Sequence, residues 1–193
     1  MPLGKGRENW LPLYAEGWYV PESNIHTRQF WFWSPDTDKT LKTPEQMMKA
    51  YESSIGVGAS LLVNMTPDTD GLVPEAEVTM LTTFGAALQK RFSQVKGTTS
   101  STAGWAEGQT LVLKFDQPTR IKDVVIEEDL AQGQRILSYS IESRVNNQWE
   151  SIAQGESLGR KRIHSFDALE TQALRLTILE STSTPHISAF SAY

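Results

Sequence analysis

Five carboxylates, Glu22, Asp36, Asp38, Asp68 and Asp70, surround a run of four aromatic residues, Phe30 to Trp33, with Arg28 just ahead of it. Two carboxyl groups held close together can divide the work of nucleophile and acid/base between them. Trp31 and Trp33 alternate with Phe30 and Phe32, so on a strand each pair would face its own side. Aromatic faces pack against the apolar faces and methyl groups of sugars. Arg28 can donate a forked hydrogen bond to a hydroxyl or a carboxylate. The chemistry on offer is therefore carboxylate catalysis or recognition of a polyhydroxylated ligand.

Such groups need a scaffold, and the residues up to about Phe92 supply α/β signals. In "KTPEQMMKAYESSIG", Thr43 is an N-cap, Pro44 occupies the first helical position and Gln46 stands at the capping-box spacing, with Met47, Tyr51 and Ile55 on one face. Leu61, Leu62 and Val63 are contiguous and apolar, as in a parallel strand covered on both sides. That strand gives way to the polar loop from Asn64 to Asp70. A second helix opens at Pro74, with Glu75 and Glu77 in its first turn and Val78, Leu81, Gly85, Leu88 and Phe92 as its apolar stripe.

Residues 93–104 are rich in Gly, Ser and Thr and read as a linker. Beyond them, "TLVLKF", "IKDVVIEE", "ILSYSIESRV", "WESIAQG", "ALRLTILE" and "HISAFSAY" are short alternating runs separated by turn residues, as in an antiparallel sandwich. The expected fold class is α/β followed by all-β, with domains at 1–92 and 105–193.

Composition narrows the partners. A net charge of -5 with scattered Lys and Arg offers no field for nucleic acid. Cysteine is absent, which excludes disulfides and thiolate zinc sites. His26, His164 and His186 lack any metal-ligand spacing, so no metal is expected. No apolar run approaches the roughly 20 residues of a membrane helix, and "MPLGKGRENW" lacks the apolar core of a signal peptide. "GVGAS" has no phosphate-loop lysine, and its glycines are expected to end a helix and enter a strand.

Taken together, "WYVPESNIHTRQFWFWSPDTD" and "LKTPEQMMKAYESSIGVGASLLVNMTPDTDGLVPEAEV" resemble the last barrel units of α-L-fucosidases of glycoside hydrolase family 29, over about residues 10 to 92. "IEEDLAQGQRILSYSIES", "LGRKRIHSF" and "ISAFSAY" resemble the discoidin-like, galactose-binding-like jelly-roll sandwich that follows the barrel in many of these enzymes. The resemblance implies a C-terminal piece of a retaining fucosidase, a partial (β/α)8 barrel plus a β-sandwich, since a whole barrel takes about 250 residues. It implies fucose or a fucosylated glycan as partner. Family members are often secreted, periplasmic or lysosomal, and the compartment of this chain stays open.

The family's nucleophile motif, with Trp, Phe and Asp ahead of Gly, is not present, so the isolated chain is expected to have negligible turnover; the rival reading is a non-catalytic carbohydrate-binding or assembly module. The resemblance points to Asp36 or Asp38 as candidate acid/base groups, although "SPDTD" is also ordinary turn chemistry. It points to Glu22, Arg28, Trp31 and Trp33 as substrate contacts, with Trp33 meeting the fucose methyl; ion pairing and core packing are the bland alternatives. Asn64 to Thr66 spell a glycosylation sequon, but Asn64 ends a buried strand and a pocket-rim or structural role is expected. In the sandwich, Arg160 to Arg162 read as a solvated hairpin, and Trp105 and Trp149 as packing residues before a sugar platform. No cofactor is expected. Calcium is the one open option, and Ala189, where the family usually carries an acid, weakens it. The incomplete barrel has open strand edges, so a homo-oligomer is expected.

Overall fold

The structure is a computed structural model describing residues 21–101 and 108–193. Trp105 lies outside the described residues. In the first part, β1 (Glu22–His26) pairs in parallel with β2 (Ser60–Asn64), from Glu22↔Ser60 to His26↔Asn64. The crossover between them contains a 3₁₀ turn (Thr37–Thr40) and helix α1 (Pro44–Ser54). Helix α2 (Glu75–Phe92) follows β2.

The capping box at α1 forms as expected: Gln46 N donates to Thr43 Oγ1, and Thr43 N donates to Gln46 Oε1. Met47, on the expected face, is fully buried. Helix α2 starts where Pro74 predicts, yet its apolar stripe is displaced. Glu77 and Met80 are its buried residues, whereas Val78 and Gly85 are exposed. Polar anchors at both ends, Glu77 and Arg91, set its rotation.

Two further expectations change. The aromatic run is not a strand: β1 ends at His26, and Phe30 to Trp33 lie in the following loop. The last ladder bond runs from Thr27 N to Asn64 O, after which Arg28 turns into a buried ion pair and Gln29 N donates to Thr40 Oγ1. The strand "LLV" is covered on one side only, because Leu62 is 48% exposed.

The second part is one six-stranded antiparallel sheet in the order β3-β8-β4-β7-β5-β6. Its strands are β3 (Gly97–Thr99), β4 (Thr110–Glu128), β5 (Ile136–Val145), β6 (Gln148–Gly155), β7 (Arg162–Ser181) and β8 (Ile187–Ala192). The segment read as a linker thus contributes an edge strand, paired with β8 from Gly97↔Ala192 to Thr99↔Phe190. "TLVLKF" and "IKDVVIEE" are two ends of the single strand β4. Pro118, which has no N–H to give a ladder, sits in the irregularity between Lys114 and Thr119. A second irregularity follows between Ile121 and Asp123.

These irregularities bend the β4–β7 ribbon. One end carries β5 and β6 and the other carries β8 and β3, and one apolar cluster draws on both: Leu113, Tyr139, Ile141, Leu174 and Leu176 with Ile121, Ile126, Ile187 and Phe190. Asn146 and Asn147 both adopt positive φ, 49° and 64°, which is the two-residue hairpin turn whose twist suits the strands it joins.

The two parts are locked together. Val57 bridges Arg162, and Ile163 N donates to Gly56 O at 2.9 Å. Gly58 and Gly159 meet there at positive φ, and a Cβ on Gly159 would lie 2.9 Å from the Gly58 Cα, so neither position accepts a side chain. Arg91 of α2 completes the junction: its Nε and Nη2 reach Asp123 of β4 at 3.0 and 2.7 Å, Nη2 also donates to Ser165 Oγ of β7, and Nη1 reaches Glu52 of α1.

Candidate functional site

At the C-terminal ends of β1 and β2 three segments converge: the loop after His26, the loop after Asn64, and the first turn of α2. Their common anchor is Glu77, which is fully buried. One carboxylate oxygen accepts from Thr27 Oγ1 and Thr66 N, and the other from Arg28 Nε at 3.1 Å and Thr66 Oγ1 at 3.2 Å. A carboxylate without water is tolerated because these donors replace its hydration. Its place in the first turn of α2 adds the helix dipole.

Arg28, also fully buried, spans from Glu77 to the surface. Its Nη1 pairs with Asp38, whose side chain is half exposed. Nη2 lies 3.0 Å from Glu77 Oε2, close enough for an ion pair but off the line of a hydrogen bond, so that N–H has no aligned acceptor. The buried indole N–H of Trp33 has no partner among the described residues either.

The rest of the rim is held by main-chain contacts. Asn64 Nδ2 donates to Trp31 O at 2.9 Å, and the Trp31 ring meets His26 edge-on at 5.7 Å between centroids. Lys42 Nζ donates to His26 O, and Lys42 N donates to Thr27 O at 2.7 Å, tying the end of the aromatic loop back to β1. Asp68 Oδ1 accepts from Asp70 N and Leu72 N, which closes the loop after β2 around Gly71.

The sequence candidates separate accordingly. Arg28 and Asp38 are brought into direct contact, with Trp31 tied to Asn64 and His26 on the same rim. Asp36 is almost fully exposed and faces Lys39 at 3.6 Å. Glu22 is exposed at the opposite end of β1, about 13 Å along the strand from His26. Asp68 is engaged in its own turn. Residues that the sequence reading did not single out for the site are Thr27, Thr66 and above all Glu77. The sequon is spent internally, since Asn64 and Thr66 hold Trp31 and Glu77.

In the sheet, Trp149 is not an open platform, because the Arg175 guanidinium lies over its ring at 4.4 Å and is itself paired with Glu142. Arg162 is buried rather than solvated, donating to Ser157, while Lys161 pairs with Glu127 at 2.7 Å. Among the described residues no group of three or more His, Asp or Glu is placed to hold a metal ion. No described helix is long and apolar enough to cross a membrane.

No family model matches the chain. α-L-Fucosidase 1 of Arabidopsis thaliana is 26% identical over 212 residues, covering 93% of this chain and 42% of its own length. A crystal structure of a candidate α-L-fucosidase from Bacteroides thetaiotaomicron superposes with a TM-score of 0.84 at 34% identity, over 91% of this chain and 41% of that one. The chain resembles the C-terminal portion of family 29 α-L-fucosidases. It spans about two fifths of the length of the curated relatives it matches. A family 29 fucosidase from Ruminococcus gnavus, solved with fucose, shares the fold at a TM-score of 0.80 and 24% identity. The fucosidase-like match runs through both parts of the chain.

Proposed function

We propose that this chain is the C-terminal portion of a retaining α-L-fucosidase, with the last units of its (β/α)8 barrel in residues 21–92 and a galactose-binding-like jelly-roll sandwich in residues 97–193. The observation that carries the site is the Glu77–Arg28–Asp38 chain, running from a buried carboxylate to a half-exposed one at the C-terminal ends of parallel strands, the end at which barrels of this kind do their chemistry. On this reading the rim binds α-L-fucose. The unpartnered N–H groups of Arg28 and Trp33 face the need for hydroxyl acceptors, Trp31 and Trp33 supply apolar surface for the sugar's methyl face, and Asp38 stands at the mouth, oriented by Arg28.

Retaining hydrolysis needs two carboxyl groups about 5 Å apart. Glu77 is consumed by its donors and Asp36 points to solvent, which supports the second reading for the chain alone: a sugar-binding module without turnover. Purified chain assayed on an aryl α-L-fucoside is expected to show negligible hydrolysis. Turnover abolished by Asp38→Asn would show instead that the chain completes a catalytic pair itself. Titration with fucose is expected to lose at least tenfold in affinity in Trp33→Ala and little in Trp149→Ala. The reverse pattern would move binding to the sheet and sink the rim assignment.

A further inference from the structure

Side chains alternate across the antiparallel sheet, and Leu113, Ile141 and Leu174 belong to its apolar core. Their neighbours Lys114, Glu142, Ala173 and Arg175 therefore face the other way, as does Arg144 beyond the buried Ser143. The register sets these outward residues in two rows across the strands: Lys114, Ala173, Arg144 and Trp149 in one, and Val112, Arg175, Glu142 and Ser151 in the next. Ala173 is buried although it faces outward, so the long side chains around it lean together over it. On a chain of net charge -5, this patch gathers Lys114, Arg144 and Arg175 around one carboxylate, Glu142. Glu142 is spent on Arg175. It accepts from Nε at 2.6 Å and from Nη2 at 2.7 Å, and the paired guanidinium lies over the Trp149 ring at 4.4 Å.

Arg144 is left over. Its guanidinium stands 5.9 Å from the same ring, at the limit of attraction to a π face. Its Nε is buried without a hydrogen-bond partner among the described residues, and no described carboxylate forms an ion pair with it. A charged donor without an acceptor is costly, yet the residue is held in place: Arg144 N donates to Thr171 Oγ1 at 3.1 Å, and that hydroxyl donates to Arg144 O at 3.2 Å. Lys114 is exposed, and Asp116, two residues along β4, forms an ion pair with neither cation. A forked donor beside a point charge suits an oxyanion. Two cations are too few to follow a nucleic-acid backbone, and a Trp149 ring capped by Arg175 offers little stacking face to a neutral sugar. Resting, for the glycan, on the reading of this chain as part of a fucosidase, we propose that this outward face binds the carboxylate or sulfate group of an acidic saccharide through Arg144 and Lys114. Trp149 and the Arg175–Glu142 pair hold Arg144 in position.

Calorimetric titration of the chain at low salt with three fucose-free tetrasaccharides, one carrying uronate groups, one carrying sulfate esters and one neutral, tests the site. An acidic saccharide is expected to bind and the neutral one is not, and the preference between uronate and sulfate ester names the source of the anion. Arg144→Ala and Lys114→Ala should each weaken that binding by about tenfold, with an unchanged circular dichroism spectrum. Arg120→Ala, exposed further along β4, should leave it intact. Glu142→Gln separates recognition from a structural role: it frees Arg175 and raises the charge of the patch by one, so binding should tighten by about threefold. No binding of either acidic saccharide, equal binding of the neutral one, indifference to Arg144→Ala, or weaker binding in Glu142→Gln overturns the proposal. The two readings fail separately. Fucose bound through Trp33 with no acidic saccharide bound keeps the rim and removes this site, whereas an acidic saccharide held through Arg144 by a chain that binds no fucose does the opposite.

Discussion

A guanidinium sealed from water needs its counter-charge in place, and among the described residues Glu77 is the buried carboxylate beside Arg28. Replacing Glu77 with Gln keeps the size but strands the buried cation, a change that costs about 3–5 kcal/mol. Asp38→Asn removes the other partner where water can substitute, and should cost at most about 1 kcal/mol. Urea unfolding of both variants checks the ranking, and equal losses would mean that Arg28 is held from the surface. Arg28 was legible in sequence because its type and its place before the aromatic run announce a donor. Glu77 was not. In sequence it is an ordinary first-turn acid, and its donors Thr27 and Arg28 are about fifty residues away. Local patterns report helix dipoles and caps, and a carboxylate that joins three segments is visible only once they meet.

Elements with local causes were legible: α1 from its capping box, the start of α2 from Pro74, and the β runs from alternation. The elements misjudged are those set by partners from elsewhere. The aromatic run has strand-like composition, yet Thr27 and Arg28 are drawn off to Glu77, and the run becomes a loop. Pro118 reads as a break but is absorbed as a bulge, so two runs become one strand. Helix α2 shows the same override, because Arg91 at its end is fastened to Glu52, Asp123 and Ser165 and is held firmly charged, above all by the hydrogen bonds it donates to Asp123. Arg91→Ala should therefore destabilise by about 2–3 kcal/mol and leave Asp123, nearly buried, without its cation. Arg91→Lys keeps the charge but not the fork, and should recover less than half. If the clamp joins the two parts into one folding unit, Arg91→Ala also splits the urea transition into two steps by fluorescence and circular dichroism. A single unshifted transition would show the glycine contact to be sufficient.

Over the whole molecule, two titrating groups, the buried Glu128 and the half-buried His164, work against each other. Burial raises the Glu128 carboxyl from 4.5 to about 7, against the opposing pull of the Arg135 and Ile136 N–H groups on one oxygen and of the Arg135 charge; the nearby Asp129 charge adds to the rise. Its other oxygen is buried without a hydrogen-bond partner among the described residues. Folded protein then holds a proton that the unfolded chain has released, so this group's contribution falls as pH rises from 4.5 to about 7. Burial, with the charge of Arg162, lowers His164 from 6.5 to about 4 while Tyr139 OH lies 2.8 Å from its Nε2. Here the unfolded chain binds the extra proton, and stability is lost as pH falls from 6.5 towards 4. Each ramp spans about 2.5 pH units, on the order of 3 kcal/mol at about 1.4 kcal/mol per unit, with opposite sign over nearly the same window. Native protein should therefore show little net slope from these two groups between pH 4.5 and 6.5. Glu128→Gln removes the falling ramp, so its stability relative to native should climb with pH by up to about 3 kcal/mol across the window. His164→Gln removes the rising ramp and should decline by a similar amount. Urea midpoints at pH 4.5, 5.5, 6.5 and 7.5 for the three proteins decide it. Parallel curves would mean that neither group changes its protonation on unfolding, and that the sheet admits enough water to hold both near their ordinary values.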